Sequence, residues 1–198
     1  MFVISKLGFP PRRSATLRLS HTIMQRAKQS PIHVAIVGVG LVGSELIHQL
    51  LSIPQHVSPF RLIALSSSTR YIFDSTKPIQ PTDDWKSALT TSTEKADLHA
   101  LTGRLHALVQ ANEHVALVDN TSSEAVAALY PQWLEKGIHV ITPNKKAFSG
   151  NIDLYNTITQ RSTASGARYL NESTVGAGLP VINTLKELVG TGDKASNR

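Results

Sequence analysis

From residue 32 onward, short apolar runs alternate with stretches whose apolar residues recur every three or four positions. Ile32 to Val37 is apolar apart from His33, the pattern of a strand covered on both faces. Leu41 to Leu51 carries apolar residues at 42, 46, 47, 50 and 51, a helical stripe. Arg61 to Leu65 reads as a second strand, and the Ser-, Thr- and Pro-rich stretch from Ser66 to Pro81 predicts a long surface loop. Asp84 is placed to cap a short helix through Leu89, and Asp97 a longer one with Leu98, Leu101, Leu105 and Leu108 on one face. Val115 to Val118 is the next strand, followed by a helix that Gly137 ends in the left-handed conformation. Ile138 to Ile141 and Ala167 to Leu170 read as strands, with a helix from Asn151 to Gln160 between them. Pro180 suits an early position in a last helix carrying Leu185, Leu188 and Gly190. This alternation predicts an α/β fold whose sheet is mostly parallel, with crossover helices on both faces.

Composition narrows the chemistry. With 41% hydrophobic and 17% charged residues in 198, the chain can build one ordinary core. The absence of Cys excludes a disulfide scaffold, a Cys-ligated zinc or iron–sulfur site and a thiol nucleophile. The net charge of +6 suggests a nucleic-acid partner until its distribution is read. Lys6, Arg12, Arg13, Arg18, Arg26 and Lys28 fall in residues 1–30, where there is no acid; the 14 acids beyond balance the other bases. The excess therefore belongs to a basic leader, and the body is neutral. The leader reads as a transit peptide, a disordered basic arm or an extension upstream of a start at Met24. A cytoplasmic location is expected, or a mitochondrial one if the leader is a transit peptide. No apolar run reaches 18 residues, so neither a membrane span nor, with a neutral body, a nucleic-acid partner is expected.

The sharpest local motif is Gly38-Val39-Gly40-Leu41-Val42-Gly43, which closes the first strand and opens the first helix. That is the setting of the dinucleotide fingerprint. Gly38 allows the tight turn, Gly40 lets backbone approach a pyrophosphate, and Gly43 lets helix and strand pack closely. Amides at the positive end of the helix dipole then face the anion. The fold class becomes a Rossmann-type doubly wound sheet. The second strand ends in Leu65-Ser66-Ser67-Ser68-Thr69-Arg70, with no acid between Glu45 and Asp74. A carboxylate there would hold the ribose 2′-hydroxyl of NAD and repel a 2′-phosphate, whereas Ser67 and Arg70 can bond a phosphate. NADP is favoured, with NAD possible; the plain alternative is a solvated loop.

Three more polar clusters follow strands, the edge where open α/β sheets bind ligands. They are Asp119-Asn120-Thr121-Ser122-Ser123, Thr142-Pro143-Asn144-Lys145-Lys146-Ala147-Phe148, and Glu172-Ser173-Thr174-Val175-Gly176-Ala177-Gly178-Leu179-Pro180. In this order and spacing, with GVGLVG and the DWKSAL of Asp84 to Leu89, they resemble the monofunctional homoserine dehydrogenases of the fungal type, from about Ile32 to Asp193. The resemblance implies reduction of aspartate-semialdehyde to homoserine with NAD(P)H, in threonine and methionine biosynthesis. It implies cofactor contacts on the glycine loop, with Leu41 and Val42 close by, and on Asn120 and Thr121. It matches Lys145 to the lysine beside nicotinamide and substrate, where an ammonium can stabilise charge on a carbonyl oxygen. It matches Glu172 and the carbonyls of Val175, Ala177 and Leu179 to a monovalent cation site, suited to a hard ion such as Na⁺. Without the resemblance, Glu172 reads equally well as a partner of the following helix dipole.

The family's substrate pocket, second catalytic lysine and dimer-forming sheet belong to a domain beginning after the position of Asp193. The expected organisation is therefore a leader over 1–30, a nucleotide-binding domain over 31–171, and over 172–198 the start of a connection to a further domain. Three functions follow: a homoserine dehydrogenase represented by its nucleotide-binding half and inactive alone, a non-catalytic NADP-binding module, and another dehydrogenase of related substrate. Substrate binding is expected only once the further domain is supplied, which leaves a family-type homodimer in doubt for this chain. The last helix is expected to expose apolar surface.

Overall fold

The computed structural model describes residues 30–150, 152–176 and 179–191; the leader and the end of the chain lie outside them. The central strand is β1 (Ile32–Val37), and the glycine loop leads from it into α1 (Leu41–Ser52) and β2 (Phe60–Ser66). A short β3 (Tyr71–Phe73) precedes α2 (Trp85–Thr91) and α3 (Leu98–Gln110). The chain then crosses to β4 (His114–Asp119), α4 (Glu124–Ala127), α5 (Tyr130–Glu135) and β5 (His139–Ile141). It continues through α6 (Lys146–Ser149), α7 (Ile152–Ser165), β6 (Tyr169–Leu170) and a 3-10 turn at Glu172–Thr174 to α8 (Val181–Gly190). The strands lie in the order β3-β2-β1-β4-β5-β6, all parallel except β3.

β1 pairs with β2 on one side and β4 on the other, so successive side chains enter opposite cores. Ala35 and Val37 join Leu117, Leu105, Trp133 and Ile158 beneath α3, α5 and α7. Val34 and Ile36 join Leu62, Leu65, Ile47 and Leu89 beneath α1 and α2. Each fully buried aliphatic contributes about 1.5–3 kcal/mol of transfer free energy, which is why the strands read as continuous apolar runs. His33 fits such a strand at its open end, 5% exposed and 3.4 Å from the Glu113 carboxylate. The expected caps are present: the Asp84 side chain accepts from the Ser87 amide, and Asp97 from the amides of His99 and Ala100.

Several boundaries differ from the sequence expectation, and α7 runs on past Gln160 to Ser165. The stretch after Ser66 contains β3, held antiparallel to β2. Its aromatic rings cover the Arg104 guanidinium, 5.3 Å from the centroids of both Tyr71 and Phe73, while Glu94 pairs with that arginine at 3.1 Å. The helix expected before Gly137 is two helices, separated at Ala128 and Leu129 ahead of Pro131, whose ring removes an amide donor; Gly137 itself adopts φ +77°. The last strand shortens to two residues. Pro180 caps α8 rather than lying within it.

α8 has no buried residue, and Leu185, Leu188 and Val189 are exposed, as its sequence led one to expect. Among the described residues no helix is long and apolar enough to cross a membrane.

Candidate dinucleotide-binding site

The carboxyl ends of β2, β1 and β4 are stitched together by main-chain bonds. The Gly38 amide donates to the Ser66 carbonyl at 2.8 Å, and the Asn120 amide to the Val37 carbonyl at 2.8 Å. Gly38 has φ +88°, and a Cβ there would lie 2.7 Å from Thr121 Cγ2. A Cβ on Gly43 would lie 2.0 Å from the Gly38 carbonyl oxygen, so α1 rests directly on the loop. Gly40 is the opposite case: nothing stands within 4 Å of where its Cβ would be.

These positions define a cradle. Gly40 caps α1 without a side-chain bond, leaving the first amides of a twelve-residue helix without intrahelical acceptors. Leu41 and Val42 follow it at 94% and 62% exposure, apolar surface at the mouth of a polar loop. Beside Gly43 lies Asn120 Nδ2, buried and without a hydrogen-bond partner among the described residues. Free amides, a bare Gly40 and an orphaned donor are what a pyrophosphate requires, so the residues present fit a dinucleotide.

The other expected contacts are arranged around this cradle at the same edge of the sheet. The Ser67 hydroxyl closes its own turn: it accepts from the amides of Thr69 and Arg70 at 3.2 and 3.0 Å, and donates to the Arg70 carbonyl at 3.0 Å. The Arg70 side chain is exposed and donates to the Ser92 carbonyl. Arg70 also forms an antiparallel bridge with Lys95, a second exposed cation at this edge that sequence reading missed because it lies in a different segment. Thr121 is half-buried, its amide donating to Asp119 Oδ1 at 2.7 Å and its hydroxyl accepting from the Ser123 amide at 3.2 Å. Lys145 caps α6 with an exposed side chain.

Glu172 faces the start of α8. Its Oε1 accepts from the Ile182 amide at 2.9 Å, and its Oε2 from the Asn183 amide at 3.1 Å. The helix-partner alternative for this residue is therefore realised. Val175 and Leu179 are exposed, and the Leu179 carbonyl accepts from the Val181 amide at 2.8 Å. Ala177, the remaining expected carbonyl, lies outside the described residues. No group of three or more His, Cys, Asp or Glu suited to a metal ion occurs among the described residues.

Sequence reading also missed the buried polar group behind these loops: Asp119, Tyr130, Thr142 and Asn144. Burial and the neighbouring Asp119 charge push the Tyr130 phenol far above its ordinary range. Burial does the same to Tyr169, whose ring centroid is 5.8 Å from that of Tyr130 and whose hydroxyl has no partner among the described residues.

The glycines separate two roles by mutation. Gly43→Ala is expected to lower unfolding free energy in urea by at least about 1–3 kcal/mol, because a methyl group is forced against backbone. Gly40→Ala is expected to leave stability within about 0.5–1 kcal/mol of wild type while weakening dinucleotide binding. Equal effects of the two substitutions on stability would contradict this geometry.

The comparisons agree with the site. The family model described as "Homoserine dehydrogenase, NAD binding domain" matches residues 38–172. The homoserine dehydrogenase of Schizosaccharomyces pombe is 41% identical over 174 residues, covering 85% of this chain and 45% of that protein. A crystal structure of a Candida auris protein of unknown function superposes with TM-score 0.72 at 37% identity, covering 83% of this chain and 45% of that one. A hyperthermophilic archaeal homoserine dehydrogenase mutant in complex with NADPH shares the fold at TM-score 0.55 and 24% identity, covering 81% of this chain and 50% of that one. The chain spans 45–46% of the length of the fungal relatives it matches. The chain thus belongs to the homoserine dehydrogenases and carries their NAD-binding domain.

Proposed function

We propose that the chain is the nucleotide-binding part of an NADP-dependent homoserine dehydrogenase, reducing aspartate-semialdehyde to homoserine on the route to threonine and methionine. The observation that carries this reading is the cradle: a bare Gly40 before the open amides of α1, beside the unpartnered Asn120 side chain. When bound, NADPH supplies the hydride. The chain's own residues hold and orient it. The glycine-loop amides and Thr121 bind the pyrophosphate and nicotinamide end, and Leu41 and Val42 cover its apolar surface. Lys145 sets an ammonium beside the bound nicotinamide and near the substrate carbonyl, where it contacts the dinucleotide, stabilises the alkoxide that forms and supplies its proton. Substrate recognition is the work of the remaining length that the fungal relatives have. This chain alone is expected to bind nucleotide without turnover.

Discrimination for NADP rests on Arg70. Its guanidinium spends one donor on Ser92 and keeps four for a 2′-phosphate. Arg70→Ala is expected to weaken NADPH binding by about tenfold, equivalent to roughly 1.4 kcal/mol, with little change for NADH. Fluorescence titration with both nucleotides checks this; equal losses would remove Arg70 from the 2′-phosphate site.

The Glu172 loop is proposed to take a monovalent cation through the Glu172 carboxylate and the carbonyls of Val175, Ala177 and Leu179. Oε1 accepts from the amides of both Ile182 and Asn183, whereas Oε2 keeps a lone pair beyond its bond to the Asn183 amide, and oxygen donors suit Na⁺. At constant ionic strength, replacing choline with Na⁺ is expected to raise Tm in the wild type and not in Glu172→Gln. An identical Tm in both salts would leave Glu172 as a helix partner only.

A further inference from the structure

The TPNKK loop is not held by its own bonds alone. Asp119 is fully buried at the end of β4, and its oxygens are all taken. Oδ1 accepts from the Thr121 amide at 2.7 Å; Oδ2 accepts from the Tyr130 hydroxyl at 2.5 Å and from Asn144 Nδ2 at 3.0 Å. The Thr142 hydroxyl lies 2.9 Å from the Asp119 carbonyl and 2.9 Å from the Tyr130 hydroxyl, and accepts from the Asn144 amide at 2.9 Å. Asn144 completes the frame, its Nδ2 also donating to the Ser123 carbonyl at 2.9 Å and its Oδ1 accepting from the Lys146 amide at 3.0 Å.

The residues on either side of Lys145 are therefore both tied to Asp119, one directly and one through the Asn144 side chain. Lys145 itself stands outside the network, exposed, with its backbone at φ −78° and ψ −13°. The same carboxylate fixes the amide of Thr121. Stability alone does not account for such a cluster, since apolar side chains of similar volume often serve a core as well or better. What hydrogen bonds add is direction, which ties two loops in one mutual arrangement.

We propose that Asp119, Tyr130, Thr142 and Asn144 are positioning residues, a buried frame that locks the DNTSS and TPNKK loops together and so aims the Lys145 ammonium at the bound dinucleotide. This rests on the role assigned to Lys145 above.

Thr142 is the hub to test, because Val keeps its shape and removes the hydroxyl, while Ser restores it. In the 198-residue chain, NADPH affinity is read by reduced-nicotinamide fluorescence for Thr142→Val, Thr142→Ser, Lys145→Ala and the Thr142→Val/Lys145→Ala double variant. Thr142→Val and Lys145→Ala are each expected to weaken binding about tenfold, Thr142→Ser by less than about twofold, and the double variant no more than Lys145→Ala alone. Additive losses of about a hundredfold would overturn the proposal, because the two residues would then act separately. Tyr130→Phe, which keeps the ring and removes one hydroxyl, carries the same expectation if Thr142→Val does not fold.

Hydrogen exchange of the wild type and Thr142→Val gives a second readout that needs no nucleotide. Faster exchange confined to the amides of Thr121, Asn144 and Lys146 supports the frame; a uniform rise across β1, β2 and β4 makes it ordinary core and overturns it. A wild-type chain that fails to bind NADPH overturns the dinucleotide reading and Lys145's target with it, and the exchange pattern still decides whether the frame locks the loops.

Discussion

Residue 43 has room for a hydrogen atom and nothing larger, because the Gly38 carbonyl occupies the place a Cβ would take. Helix α1 can start where it does only under that restriction. Gly38 has a restriction of its own, since its positive φ and its approach to Thr121 leave it no side chain either. The end of β1, the first turn of α1 and the loop after β4 thus converge where no side chain can stand. The crevice follows from this convergence. β1 pairs with β2 on one side and β4 on the other, so the connections leave its carboxyl end in opposite directions and open a gap above it. The open amides of α1 border that gap, and Gly40 leaves it clear.

Around this rigid centre the polar loops are held by different means. The β2 loop closes on itself through Ser67 and is pinned at Arg70 by Ser92 and Lys95. The loops after β4 and β5 lean on a common buried carboxylate. The loop after β6 is steadied by Glu172, which bonds the amides that begin α8. At the opposite edge of the sheet the polar contacts are plainer: His33 meets Glu113, and the His139 ring nitrogen accepts from the Arg168 amide at 2.8 Å. Burial lowers the His139 pKa, with the Arg168 charge adding to the effect, which favours the neutral ring that can accept this bond. Those contacts border no crevice loop.

Much of this was readable in the residues themselves. Strand–helix alternation carries the fold because parallel strands buried on both faces must be apolar throughout, and the glycine spacing marks the one turn where backbone must be bare. Asp84 and Asp97 announced their helices because a capping carboxylate acts within its own turn. What escaped depends on partners distant in sequence. Tyr71 to Phe73 is strand-like in composition, yet three residues in a polar stretch become a strand only because β2 offers an edge and Arg104 fills the space between their rings. The break between α4 and α5 was legible in Pro131 and was passed over. Asp119 stood in a recognised polar cluster with no sign of its depth; its burial is possible only because donors arrive from Thr121, Tyr130 and Asn144 together. An acid ending an apolar strand, with Tyr, Thr and Asn following strands or helices downstream, is the signal that could have marked it.

The most direct test of the account is an NMR titration of the ¹⁵N-labelled chain with NADPH, following every backbone amide. The account predicts saturable shifts concentrated at Gly38 to Gly43, Ser67 to Arg70, Asn120 to Thr121 and Asn144 to Lys146, with the amides of His33, Glu113 and His139 unmoved. Absence of saturation, or shifts centred on the His33 edge of the sheet, would contradict it.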